Sequence, residues 1–259
     1  MIDILKISIN IYKNKSMAIN RKHKKEILIG FEVECILIET PRILIDTIKE
    51  KIKSLHRGMD IGGDGSIEWD DSDFNGVEDY NEETDTYKKT GYGVEVRTPP
   101  LPANEAVKLL KRLFKIVAKY GFTNDSCGLH LNFSCRNQKK RILFNPILFA
   151  AHPIWEEIGK AFNREDNDFC LNHAENYSFN KVSDLYENGE SLIEDCRDKY
   201  SAVNLGYLSD DNTGRIEIRI MGGEDYHKKF KTVESFSDRI LNLYHKVCIP
   251  ALLPEAIKV

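Results

Sequence analysis

Ile27-Leu28-Ile29-Gly30-Phe31-Glu32-Val33-Glu34-Cys35-Ile36-Leu37-Ile38 carries alternating side chains through its centre and is bounded by polar sequence. Successive side chains of a strand point to opposite faces. The run therefore predicts a strand over 27–38, with Phe31, Val33 and Cys35 on one face and Glu32 and Glu34 on the other. The same alternation returns three times. Val94 and Val96 oppose Glu95 and Arg97; Leu129, Leu131 and Phe133 oppose His130 and Asn132; Ile216, Ile218 and Ile220 oppose Arg215, Glu217 and Arg219. Residues 61–69 read as a short strand or hairpin rich in turn residues, in which Asp64, Ser66 and Glu68 repeat the alternation with Ile67 and Trp69 opposite. Each strand thus offers one apolar face for helices to cover.

Helices are predicted between these strands. Pro41 opens one to about residue 55. Residues 103–120 form an amphipathic helix with Val107, Leu110, Leu113, Phe114 and Val117 on one side. Further helices are expected over 146–162, 183–198 and 230–247, and a hairpin pairs 200–208 with 214–221. Residues 1–26, ending in the basic run 21–25, read as an N-terminal extension, and 27–259 as a single domain. The polar stretches 70–90 and 164–179 read as long loops, which often serve as lids.

Composition narrows the function. Hydrophobic residues make up 41% and charged residues 30% of the 259, as in ordinary soluble proteins. The formal net charge of -4 excludes a general basic surface for nucleic acid. No apolar run approaches the roughly 20 residues of a membrane helix, and no secretory signal opens the chain. The six cysteines contain no CxxC pair, which points to reduced thiols in a cytoplasmic protein. A zinc site from Cys127, His130 and Cys135 fits no common zinc spacing.

The polar faces carry the chemistry. Glutamates recur in three separate strands, together with His130 and arginines. Such a face is either a solvated sheet surface or a cation site, since unpaired buried carboxylates are costly and a divalent ion relieves them. Oxygen-rich ligand sets favour Mg²⁺ or Mn²⁺. Arg97, Arg215 and Arg219 beside such a cluster suit a polyphosphate, because guanidinium groups clamp phosphate oxygens. No Walker-type or Gly-x-Gly-x-x-Gly loop follows a strand, so a nucleotide would lie on the open sheet face.

The segments Gly30-Phe31-Glu32-Val33-Glu34, Asp64-Gly65-Ser66, Gly93-Val94-Glu95-Val96-Arg97-Thr98-Pro99-Pro100-Leu101 and Gly128-Leu129-His130-Leu131-Asn132 occur in that order. Lys199-Tyr200-Ser201-Ala202-Val203-Asn204-Leu205 and Arg215-Ile216-Glu217-Ile218-Arg219 complete the series. Each motif is weak alone; together, over about 27–223, they resemble the amidoligase family. That family belongs with the carboxylate-amine ligases, including glutamine synthetase and glutamate-cysteine ligase.

The resemblance implies an α+β fold: a curved, mainly antiparallel, glutamine-synthetase-like sheet with helices on its outer face and ATP, metals and substrate on its inner side. It implies metal ligation by Glu32, Glu34, Glu95, His130 and Glu217. Arg219 would steady the transferring phosphoryl group, with Arg97 and Asp64 also in catalytic positions. Lys199, Asn204, Asn132, Arg215 and Ser66 would contact nucleotide or substrate. The activity implied is an ATP- and Mg²⁺-dependent ligase that makes an amide through an acyl phosphate. Its partners would be an amine and a carboxylate on a small molecule, peptide or protein; oligomeric state stays open. Two departures stand out. Asn132 replaces the second histidine of many relatives, and Lys199 stands where arginine is common, giving a point charge without the bidentate fork.

Competing readings are a noncatalytic nucleotide-binding relative and a kinase that stops at the phosphorylated product. The complete Glu32, Glu34, Glu95, His130, Glu217 and Arg219 set speaks against the first. Elsewhere the bland reading is preferred: His152 as a packing or capping residue, His227 and His245 as structural, Trp69 and Trp155 as packing.

Overall fold

The computed structural model describes residues 27–40, 42–69, 80–81, 86–87, 90–135, 142–144, 146–168, 170–179, 184, 187–208 and 214–250. The expected N-terminal extension and most of the expected 70–90 loop lie outside these residues.

The opening strand is long. β1 spans Ile27–Glu39, and every other part of the sheet is organised around it. β2 (Asp60–Gly63), β3 (Thr90–Arg97), β4 (Leu101–Pro102), β5 (Gly121–Phe122), β6 (Gly128–Cys135), β7 (Val203–Asn204) and β8 (Ile216–Gly222) complete an eight-stranded sheet. The order is β7-β8-β6-β1-β3-β2, with β4 and β5 also paired to β1, and all these pairings are antiparallel. The α+β class and antiparallel pairing therefore agree with expectation. The expected curvature does not: the sheet is not strongly curled.

Apolar alternation buries one face. Phe31, Val33, Cys35, Val94, Val96, Leu129, Leu131 and Ile218 are each 0–1% exposed. Removing side chains of this size from water contributes roughly 1.5–3 kcal/mol each, which commits the register, because a one-residue slip would turn them outward. Helix α1 (Ile45–Lys53) packs on β1 and β2, and α2 (Ala103–Tyr120) on β1. The buried stripe of α2 is Ala106, Leu109, Leu110, Leu113, Phe114 and Val117; Val107, expected within it, is only partly buried.

The expected helix over 146–162 is two helices, α3 (Pro146–Ala150) and α4 (Ile154–Phe162). Pro153 separates them, since it lacks an amide hydrogen and disfavours helical backbone at the residue before it. His152 caps the second, accepting the Ile154 amide on Nδ1 at 3.1 Å. α5 (Gly189–Asp195) lies within the expected 183–198 helix, and α6 runs over Phe230–Val247 as expected. No helix among the described residues is long and apolar enough to cross a membrane.

Strand β8 holds a feature absent from the expected pattern. Ile218 pairs with Leu131 and Met221 with Leu129, so Arg219 and Ile220 together oppose His130. This is a β-bulge, two residues against one. It lets Ile220 and Met221 both enter the core, at 1% and 0% exposure. Arg219 keeps its place beside Glu217.

Candidate active site

The polar face is built by register. Glu32 pairs with His130 on one side and Arg97 on the other, and Glu34 pairs with Glu95. Glu217 pairs with Asn132 and with Asn204. Four strands thus bring five acids and bases, far apart in sequence, into neighbouring rows. His130 is their centre. Its Nδ1 lies 3.1 Å from Glu32 Oε2 and 3.6 Å from Glu217 Oε1, and its Nε2 lies 3.4 Å from Glu34 Oε1. His130 and Glu217 are each 3% exposed and Glu34 is 8%.

Amide side chains fix the carboxylates. Asn132 Nδ2 donates to Glu32 Oε1 at 3.1 Å, and Asn204 Nδ2 donates to Glu217 Oε2 at 2.9 Å. Asn204 is itself held by the Gly206 amide, which donates to Oδ1 at 2.8 Å. Glu34 accepts the Gly128 amide on Oε2 at 2.5 Å. A side chain at Gly128 would put a Cβ 2.7 Å from His130 Nε2 and 2.9 Å from Glu34 Oε2, so only glycine fits that approach.

The charges are unequal in their surroundings. Burial works to raise the Glu32 carboxyl, but its hydrogen bond and attraction to His130, with Arg215 and Arg97 beyond, prevail and lower it. Glu95 is raised, first by burial and then by the nearby charge of Glu32, with Arg97 opposing. Arg97 pairs with Glu95 and lies 3.4 Å from Asp60, and the Glu95 charge raises its own pKa.

Arg219 Nη1 donates to Glu217 Oε1 at 3.3 Å. Arg215 approaches Glu32 at 4.0 Å and lies over the ring of Tyr207 at 4.0 Å. Asp64 follows β2, in a turn where its Oδ1 accepts the Ser66 amide and hydroxyl at 2.9 and 2.6 Å. The strand-like alternation expected there is thus replaced by a turn, and Ser66 is exposed. Lys199 is exposed as well; its Nζ lies 4.6 Å from the ring centre of Tyr200 rather than against any carboxylate of the cluster.

The cluster suits divalent cations by its own chemistry. Glu32, Glu95 and His130 offer ligand atoms all within 4.8 Å of one another, as do Glu34, Asp64 and Glu95. Oxygen donors with one imidazole match Mg²⁺ or Mn²⁺. Two buried polar atoms on the same face, Asn132 Oδ1 and Arg219 Nε, have no hydrogen-bond partner among the described residues. Buried polar atoms are normally satisfied, so these two are available to a ligand.

Sequence reasoning missed several contributors. The Gly128 amide, the Asp60 carboxylate and the Tyr207 ring act locally, and only register reveals them. Tyr226, fully buried, donates to the Glu34 carbonyl at 2.6 Å from 192 residues away. The only sequence signal for Tyr226 was an aromatic residue following the Gly222-Gly223 pair.

No curated protein matches the chain. The family described as "Putative amidoligase enzyme" matches residues 25–223, well over half of the chain and the whole of the acidic sheet face, and the chain belongs to it.

Proposed function

We propose that this protein is an ATP- and Mg²⁺-dependent carboxylate-amine ligase. The observation that carries the reading is the meeting of Glu32, Glu95 and His130 within ligand distance of one another, beside the Glu217–Arg219 pair. In this scheme a substrate carboxylate oxygen attacks the γ-phosphorus of ATP, and ADP leaves. An amine then attacks the acyl phosphate carbon; phosphate departs and a proton is lost from nitrogen. Net, ATP, acid and amine give ADP, phosphate and amide.

Divalent ions bound by Glu32, Glu34, Glu95, His130 and Glu217 would neutralise phosphate charge. The chain's own groups do the rest. Arg219, held by Glu217 and with Nε unpartnered among the described residues, supplies a preorganised donor to the transferring phosphoryl group. Asn132 presents Oδ1 as an acceptor while its Nδ2 stays on Glu32. Arg215, steadied by Tyr207, guards the edge nearest Glu32. Asp64 and Ser66 stand at the opposite edge, in reach of the acid or amine. The acid is an amino acid or a peptide or protein side chain. A reducing compartment such as the cytoplasm accords with the free buried thiols of Cys35, Cys127, Cys170 and Cys196.

The test is incubation of purified protein with ATP, Mg²⁺ and pooled amino acids and peptides, following phosphate release and new amide masses. Amine-dependent release, lost in Glu217→Ala, is expected. ADP formed with a phosphorylated product and no amine-dependent phosphate release identifies a kinase, and release unchanged in Glu217→Ala removes the site.

A further inference from the structure

Arg164 lies just beyond α4 and is only 4% exposed. Its Nη1 donates to the Cys127 carbonyl at 3.1 Å, Nε to Cys170 Sγ at 3.3 Å, and Nη2 to Asn167 Oδ1 at 3.3 Å. Among the described residues no carboxylate pairs with it. A buried cation held by neutral groups alone is costly, so packing is a poor explanation for its presence.

The Cys127 carbonyl belongs to the peptide whose amide, on Gly128, donates to Glu34 Oε2. The Gly223 amide donates to the same carbonyl at 2.8 Å. Two donors on the carbonyl, one of them a cation, polarise the peptide and strengthen its N–H toward the carboxylate. The fold keeps this approach clear. A Cβ at Gly222, where φ is +136°, would lie 2.6 Å from the Cys127 oxygen and 2.9 Å from Arg164 Nη1. Glu34 Oε1 is left toward His130 Nε2, at 3.4 Å.

We propose that Arg164 is a positioning residue: through the Cys127–Gly128 peptide it anchors Glu34 Oε2 and so presents Glu34 Oε1 to a divalent cation. This role rests on the metal-ligand reading of Glu34 proposed above. Ligand orientation by outer hydrogen bonds commonly changes metal affinity about 10–100-fold.

Full-length wild type, Glu34→Gln, Arg164→Met and Arg164→Lys are titrated with Mn²⁺ by electron paramagnetic resonance, with thermal melts to establish folding. The Gly128 amide is followed by ¹H–¹⁵N NMR without metal. In wild type that amide resonates downfield and is protected from exchange. Arg164→Met weakens Mn²⁺ about 10–100-fold and moves the resonance upfield; Arg164→Lys, keeping the charge and one donor, restores part of both. Wild type that binds no Mn²⁺, or Glu34→Gln that binds as wild type does, overturns the metal-ligand reading itself. Normal affinity and an unmoved Gly128 resonance in a folded Arg164 variant, when Glu34→Gln is weakened, overturn the positioning role alone. Should the Met variant fail to fold, the Lys variant and wild-type Gly128 decide: an amide at random-coil shift, exchanging freely, ends the proposal.

Discussion

Glu32 and His130 face each other across the β1–β6 pairing, with Oε2 and Nδ1 3.1 Å apart, while the other oxygen of Glu32 receives the Asn132 amide. Glu217 and Glu34 crowd the same imidazole. Carboxylates gathered this closely repel one another and are relieved by a cation.

Mn²⁺ or Mg²⁺ at one hundred times its dissociation constant should therefore stabilise the fold by about 2.7 kcal/mol. In a chain of this size that is a rise in melting temperature of about 5–10 °C, reversed by chelator. Glu32→Gln and Glu95→Gln should lose most of the rise. Scanning fluorimetry reads it, and an equal rise in Glu32→Gln would refute the shared site.

Arg219→Lys keeps a positive charge beside Glu217 but loses the guanidinium fork. Turnover should fall about 10²–10³-fold, the range for loss of a transition-state donor, with KM for ATP changed far less. Steady-state phosphate release separates the two parameters. A mainly KM effect would assign Arg219 to ground-state binding instead.

Away from the site, His227 is 4% exposed, and its Nδ1 lies 3.0 Å from Thr123 Oγ1. Burial lowers its pKa, so the folded protein binds fewer protons than the unfolded chain, whose imidazole titrates near 6.5. Its contribution is thus fully present above about pH 6.5 and is lost as pH falls through the folded value. Urea midpoints at pH 7.5 and 5.5 should differ more in wild type than in His227→Gln. Equal differences would show that other groups carry the acid sensitivity.

Tyr226→Phe removes the donor to the Glu34 carbonyl and leaves that oxygen buried. A loss of about 1–3 kcal/mol is expected, seen as a lower urea midpoint with unchanged slope. A variant as stable as wild type would mean that water or a shift of the strand replaces the bond.

The polar rows were legible because strand alternation is local: Glu32, Glu34, Glu95, His130 and Glu217 each announce their face within a few residues. The ends of α2 and α6 were legible for the same reason, through long apolar stripes. Pro153 shows a signal that was present and outweighed by the surrounding helical pattern. Over 61–69 the turn residues were legible, but at Asp64–Ser66 the alternation belongs to a side-chain-capped turn rather than to a strand. The placement of Lys199 in solvent, the pairing of Arg164 with Cys127, and the bulge at Arg219 have no local signature. Each depends on which strand lies alongside, and that is decided by contacts distant in sequence.

The surplus residue in β8 has a consequence for how the chain can vary. Deleting one residue from 219–221 would restore regular pairing with β6 only by giving up one of two adjacent core side chains, Ile220 or Met221, or the arginine beside Glu217. Length in this short stretch is thus as constrained as residue identity. An indel at 219–221 should therefore cost either core packing or the placement of Arg219.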